Sequence, residues 1–236
     1  MDFSKRETIF SSWQLMKGHL GLWTLIMLFI FCINIIISSV QEKLLDNITT
    51  QTILFTVAAY LFQAGLNLGM LKIALNIHRE KEAGLKQVFG SFHMLVVYIL
   101  ATLVCLTMII FTASPGIILL IFSVSADINS ITELQGLSVA SFIIPLLLII
   151  IPAVYASIRL QFYDYFLIDN ESGAIESIKK SIRITKGYAG ELFVLGAILS
   201  TIIIISMIPL MLGLLISIPL TIMVNTNVYL KLKRSN

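Results

Sequence analysis

Residues 192–230 read LFVLGAILSTIIIISMIPLMLGLLISIPLTIMVNTNVYL, and whether this block crosses a membrane once or twice decides the architecture. One crossing of ~30 Å of hydrocarbon takes about 20 mostly apolar residues, so the block is long enough for two. Pro209 and Gly213 sit near its middle. Proline removes a backbone donor and glycine relaxes the chain, so a tight hairpin is expected there. Backbone groups in lipid have to be satisfied within the helix, which places the turn at the far interface.

Working outward, four further apolar runs precede this block: residues 20–40, 52–77, 93–122 and 137–158. A polar turn at 41–51 separates the first two. The third is too long for one straight span and is interrupted by Ser114-Pro115-Gly116. Residues 94–113 are therefore read as the span, and 117–123 as a kinked extension or a short segment at the outer interface. The fourth contains Pro145 and Pro152, which membrane helices tolerate.

Loop charge tests the count independently. With six spans, one side carries Lys5, Arg6, Lys17, Arg79, Lys81, Lys86, Arg159, Lys179, Lys180, Arg183, Lys186, Lys231, Lys233 and Arg234, and the other only Lys43. That asymmetry places the basic side, and both termini, in the cytoplasm. A single crossing in 192–230 would put the basic tail outside and spoil the agreement. Six spans are expected.

Composition agrees. Apolar residues form 58% and charged residues 12% of the 236-residue chain, against roughly 45–50% and 25% in soluble domains. With so few charges, lipid has to solvate much of the surface. Cys32 and Cys105 lie in apolar runs without motif spacing, giving no disulfide framework or zinc site. The first run is too long for a signal-peptide core and lacks a clear cleavage site, so it is read as a retained span.

Short segments ahead of spans one, three and five resemble one another. Ser12 to Gly18, Lys86 to Gly90 and Ser181 to Gly187 each end in glycine. Apolar residues at helical spacing precede or enter each: Ile9, Trp13 and Met16; Leu85, Val88, Phe89 and Phe92; Ile175, Ile178 and Ile182. This pattern predicts amphipathic helices lying in the cytoplasmic interface. The fold class expected is all-α, one membrane domain over 1–236, with a threefold repeat of interfacial helix plus hairpin at 4–78, 79–158 and 172–232. Ordinary juxtamembrane amphipathic residues are the plainer alternative.

Two stretches carry a family resemblance: Gly69-Met70-Leu71-Lys72-Ile73-Ala74 with Gly84-Leu85-Lys86-Gln87-Val88-Phe89, and Ile158 through Asp169 to Ala174-Ile175-Glu176-Ser177-Ile178-Lys179-Lys180-Ser181 and Thr185-Lys186-Gly187. They resemble signatures of the YciC-like inner-membrane proteins and of the membrane domain attached to some glycerophosphodiester phosphodiesterases. The resemblance implies a multi-pass bacterial inner-membrane domain of unknown role. No phosphodiesterase domain follows within the chain, so that activity is not carried over.

Polar groups inside a bilayer are the natural candidates for chemistry. No Asp or Glu falls at the centre of a span, which argues against a proton relay. Lys72 is close enough to the inner end of span two to snorkel, and Arg159 reads the same way, with Asp164 nearby. Neutral candidates are better placed: Asn34 on span one, Gln63 and Asn67 four apart on span two, and Ser217, Thr221 and Asn225 in steps of four on span six. They either line a polar cavity or pack helices through interhelical hydrogen bonds, packing being preferred. Gly65 and Gly69 form a GxxxG pair that admits a neighbouring helix. His19, His78 and His93 map to one boundary but lack ligand spacing, so interfacial histidine is preferred to a metal site. Asn47-Ile48-Thr49 fits a glycosylation acceptor without meaning in a bacterium.

No catalytic residue, cofactor or metal is expected. The reading is a non-enzymatic scaffold or accessory subunit of the inner membrane, with lipids and a protein partner on its basic cytoplasmic face and no nucleic acid. The alternative is a small permease or lipid-handling transporter, which requires Gln63, Asn67 and Asn225 to face one cavity.

Overall fold

A computed structural model describes residues 4–44, 50–129, 139–208 and 212–235, and every regular element among them is helical. Part of the 41–51 turn, the Asn47-Ile48-Thr49 pattern and Pro209 lie outside the described residues. In chain order come α1 (Lys5–Lys17), α2 (Leu20–Leu44), α3 (Thr50–His78), two 3-10 turns (Leu85–Phe89 and Phe92–Met94) and α4 (Leu95–Asn129). Then follow α5 (Val139–Leu160), α6 (Tyr163–Asn170), α7 (Ala174–Ile184), α8 (Ala189–Met207) and α9 (Leu214–Ser235). Six stretches, carried by α2, α3, α4, α5 with α6, α8 and α9, are long and apolar enough to span a membrane.

The final block is two helices, as its length requires. Gly213 lets them meet closely: a Cβ there would lie 2.5 Å from the Ser206 carbonyl oxygen. Pro219, by contrast, sits inside α9 without ending it.

The third run departs from expectation. Ser114-Pro115-Gly116 does not divide it, and α4 runs unbroken through Pro115. Pro115 cannot bond the Phe111 carbonyl four residues back, but the Ser114 hydroxyl donates to that oxygen at 2.8 Å, satisfying it within the helix. Gly116 serves packing rather than flexibility. A Cβ on it would stand 2.6 Å from the Ile149 nitrogen, so α4 and α5 cross there nearly backbone to backbone.

The GxxxG face of α3 also has a different occupant. A Cβ on Gly69 would collide with the backbone of Val88, and one on Gly65 would stand 2.6 Å from the Phe92 ring. The glycines therefore receive the 3-10 turns that lead into α4, not a neighbouring helix. This corrects the expectation of an amphipathic interfacial helix before span three. Val88 is fully buried, and Gln87 is fixed by accepting from Asn76 Nδ2 at 2.9 Å and donating to the Glu82 carbonyl at 2.8 Å. Phe29, Phe62, Phe89 and Phe92 then form a chain of ring contacts 5.8–5.9 Å apart.

α1 and α7 are the helices ahead of spans one and five. Ser4 caps α1 by accepting the Glu7 N–H, and α7 carries Glu176 in its first turn and Arg183 in its last, which suits the helix dipole. Their inward faces are mostly small and hydroxylated: Thr8, Ser12 and Met16 on α1; Ser177, Ile178, Ser181 and Ile184 on α7. Met16 and Ile178, two of the apolar residues at helical spacing, are buried in protein.

Packing is uneven along the bundle. The main core gathers Trp23 and Ile26 of α2, Leu66 to Ile77 of α3, Phe162 to Phe166, Leu192 to Leu199 of α8 and Leu220 to Leu232 of α9. These lie in the half where Arg79, Asp169 and Lys233 meet, termed below the basic end. Toward the other end large apolar residues such as Ile36, Leu54, Phe111 and Ile118 are exposed, as suits helices solvated by lipid.

Candidate functional site

The basic end is organised around one carboxylate. Asp169, in the last turn of α6, has a side chain only 2% exposed. Its Oδ1 meets Arg79 at 2.6 Å, and its Oδ2 meets Lys233 Nζ at 2.7 Å and accepts the Tyr229 hydroxyl at 2.9 Å. Lys233 also donates to Asn170 Oδ1 at 2.7 Å. Arg79 follows the last residue of α3, and Tyr229 and Lys233 stand four apart on one face of α9. One buried anion thus clamps the ends of three helices. The hydrogen bond to Asp169 raises the pKa of Arg79 further above its ordinary value.

The clamp rests on an aromatic floor. Tyr229 stacks on Tyr165 and meets Phe166 edge-on, both at 5.1 Å between ring centres. The Lys233 ammonium lies 5.7 Å and 5.8 Å over Tyr229 and Phe166, and Lys180 approaches the same Phe166 ring at 5.9 Å. Apolar rings around an ion pair lower the local dielectric and strengthen it. With three donors on two oxygens, Asp169 is not free to act as a base or to hold a cation. Two cations against one anion leave the cluster net positive.

Two hydroxyl staples surround it. Between α5 and α6 the helix breaks, and Ser181 of α7 bridges the break: its Oγ accepts the Phe162 N–H at 3.1 Å and donates to the Arg159 carbonyl at 3.0 Å. Thr185 also donates to that carbonyl, at 3.2 Å. On the other side, Asn227 of α9 donates to Ser11 and Ser12 of α1 at 3.0 and 3.1 Å, and Lys231 to Thr8 at 3.1 Å. Asp164 accepts the Tyr165 N–H and forms no ion pair with Arg159.

The six residues singled out from the sequence do not converge. Gln63 Nε2 donates to Asn34 Oδ1 at 2.9 Å, while Asn34 donates to the Ile30 carbonyl at 2.9 Å, joining α2 to α3. Asn67 is exposed and makes no hydrogen bond among the described residues. Ser217 is 2% exposed and its hydroxyl has no partner among the described residues. Thr221 donates to the Ser217 carbonyl at 2.9 Å. Thr221 and Asn225 line a recess of about 160 Å³ with Gln161 and Ser200, and neither Gln63 nor Asn67 borders it. His19 and His78 each place Nδ1 against the carbonyl four residues back, Leu15 and Ala74.

Sequence reasoning missed the clamp. Arg79 and Lys233 were counted only as loop charge, and Asp169 only as part of a resemblance. The available signal was Tyr229 and Lys233 at a spacing of four near a span end, facing a lone acid at the end of another.

No curated protein and no solved structure matched the chain in comparisons with known proteins. A family model described as "Protein of unknown function (DUF975)" matches residues 4–236, and the chain, a six-span helical membrane protein with a clamped basic end, belongs to that family.

Proposed function

We propose that the protein is a scaffold or accessory subunit of the bacterial inner membrane, whose basic end lies in the cytoplasm and docks an acidic surface of a partner protein. The observation that carries this reading is the Asp169 clamp. A transporter that alternates access has to part its helices at each end in turn. Here the ends of α3, α6 and α9 are tied through a buried charge, and a rigid end suits a platform better than a gate. The loop-charge asymmetry supports the orientation, and the resemblance to YciC-like proteins supports the inner membrane. Gln63 and Asn67 do not border the recess that Asn225 lines, which favours this reading over the permease alternative.

The platform presents Lys179, Arg183 and Lys186, exposed and without ion pairs among the described residues. Replacing all three by Glu leaves the clamp untouched. Affinity purification from native membranes, with quantitative mass spectrometry, should retain a stoichiometric protein with the wild type and lose it with the triple variant. A wild type that brings down no stoichiometric protein refutes the scaffold reading.

A further inference from the structure

α1 borders a groove of about 500 Å³ that belongs neither to the clamp nor to the basic face of α7. Its wall on the α1 side is Lys5, Arg6, Ile9, Phe10 and Trp13, which successive turns bring to one side of the helix. Ile198 of α8 and Leu220 of α9 form the other wall. An entering molecule can touch these side chains: Phe10 is 59% and Ile198 37% exposed, Arg6 is exposed, and Lys5, Ile9 and Trp13 are half-buried.

The groove changes character with depth. Thr8 accepts from Lys231 Nζ at 3.1 Å, which sets the first turns of α1 beside the last turns of α9, at the basic end. Ile198 stands nine residues beyond Ala189, where α8 leaves that end, and so about 14 Å deeper at ~1.5 Å per residue. Two cations therefore stand at headgroup level above an apolar trough in hydrocarbon. Neither Lys5 nor Arg6 forms an ion pair among the described residues. No acid borders the groove, Glu7 of α1 lying outside its lining, and Lys17 adds a third positive charge over the Trp13 ring at 5.2 Å. An apolar trough open to the bilayer fills with an acyl chain, because a void forfeits dispersion contacts along its lining. Charge then selects the headgroup. We propose that this groove holds one anionic phospholipid, its phosphate between Lys5 and Arg6 and an acyl chain against Ile9, Phe10, Trp13 and Ile198. The site is independent of the scaffold reading and stands or falls without it.

The probes are phosphatidylglycerol and phosphatidylcholine carrying the same brominated acyl chains, titrated into the whole chain in uncharged detergent. Bromine quenches indole fluorescence on near contact, so an occupied groove darkens Trp13, while Trp23, 1% exposed in the core, stays bright. Each basic residue beside an anionic headgroup contributes about fivefold in affinity. Half-quenching is therefore expected at a roughly 10- to 25-fold lower fraction of phosphatidylglycerol than of phosphatidylcholine. Lys5→Gln with Arg6→Gln should bring the two lipids within about twofold of each other. Lys81→Gln with Lys86→Gln, exposed in the loop before span three, removes the same charge elsewhere and should keep the preference. All four side chains lack hydrogen-bond partners among the described residues, so neither variant disturbs the packing. Equal quenching by the two lipids overturns the proposal. So does a preference that survives the Lys5 and Arg6 substitutions, or one lost equally from the Lys81 and Lys86 variant. Quenching that persists undiminished in Trp13→Phe overturns it too, by placing the acyl chain elsewhere.

Discussion

Replacing Asp169 by Asn keeps the size of the side chain and one acceptor oxygen while removing the charge that holds α3 and α9. Each charge-assisted hydrogen bond lost contributes about 1.5–3 kcal/mol. Arg79 and Lys233 are 35% and 33% exposed, so both regain hydration once released, and the Tyr229 hydroxyl keeps an acceptor. The net cost is about 2–3 kcal/mol, below the 3–5 kcal/mol typical of stranding a fully buried partner. Reversible unfolding in mixed micelles reads it directly in a Trp13→Phe background, because Trp23 is 1% exposed in the main core and its fluorescence reports loss of packing there. Lys233→Met provides the second leg of a double-mutant cycle, with an expected coupling of about 1–2 kcal/mol to Asp169. If Asp169→Asn falls within about 0.5 kcal/mol of wild type, the clamp is no stronger than a surface pair, and the rigidity argument for the scaffold fails with it.

Other outcomes follow from single contacts. Gly69→Ala drives a methyl into the Val88 backbone and should cost about 2–3 kcal/mol as overpacking, whereas Gly196→Ala, in open space, should shift stability by under about 1 kcal/mol and in the favourable direction; the same micellar unfolding distinguishes them. Ser181→Ala leaves the Phe162 N–H unpaired at the α5–α6 break, while the Arg159 carbonyl keeps Thr185, and should cost about 1–3 kcal/mol, with amide exchange at Phe162 accelerated. Asn34→Leu and Gln63→Leu should show a coupling of only about 0.6 kcal/mol, the average for such pairs in membranes; a coupling above roughly 2 kcal/mol would mean that the pair does more than join two helices.

The number of spans was legible because it follows from a local sum, apolar length against bilayer thickness. That helices precede spans one and five was legible for a similar reason, helical periodicity being local. What failed needed knowledge of neighbours. Gly65 and Gly69 announced a close approach, yet nothing in their spacing told whether a helix or a turn would fill it. Pro115 looked like a break because nothing in its spacing told that the Ser114 hydroxyl would take up the Phe111 carbonyl. Asp169 drew no reading of its own, since its partners come from residues 79, 229 and 233, brought together only by the fold. Of the six polar candidates, Asn34 and Gln63 bond each other across two helices while Thr221 bonds within its own, a difference that only the bundle sets.

The contact between α1 and α9 also has a consequence in time. Asn227 reaches Ser11 across 216 residues of sequence, and ribosomes deliver roughly 5–20 residues per second. About 10–45 s therefore separate the synthesis of α1 from that of the helix it docks on. Through that interval Thr8 and Ser12, fully buried in the finished protein, have no native surface to meet. α1 waits for α9, so the contact between them closes only after translation has passed α9. Ribosome stalling between α7 and α9 would release a half-closed intermediate, the form most exposed to membrane quality-control proteases.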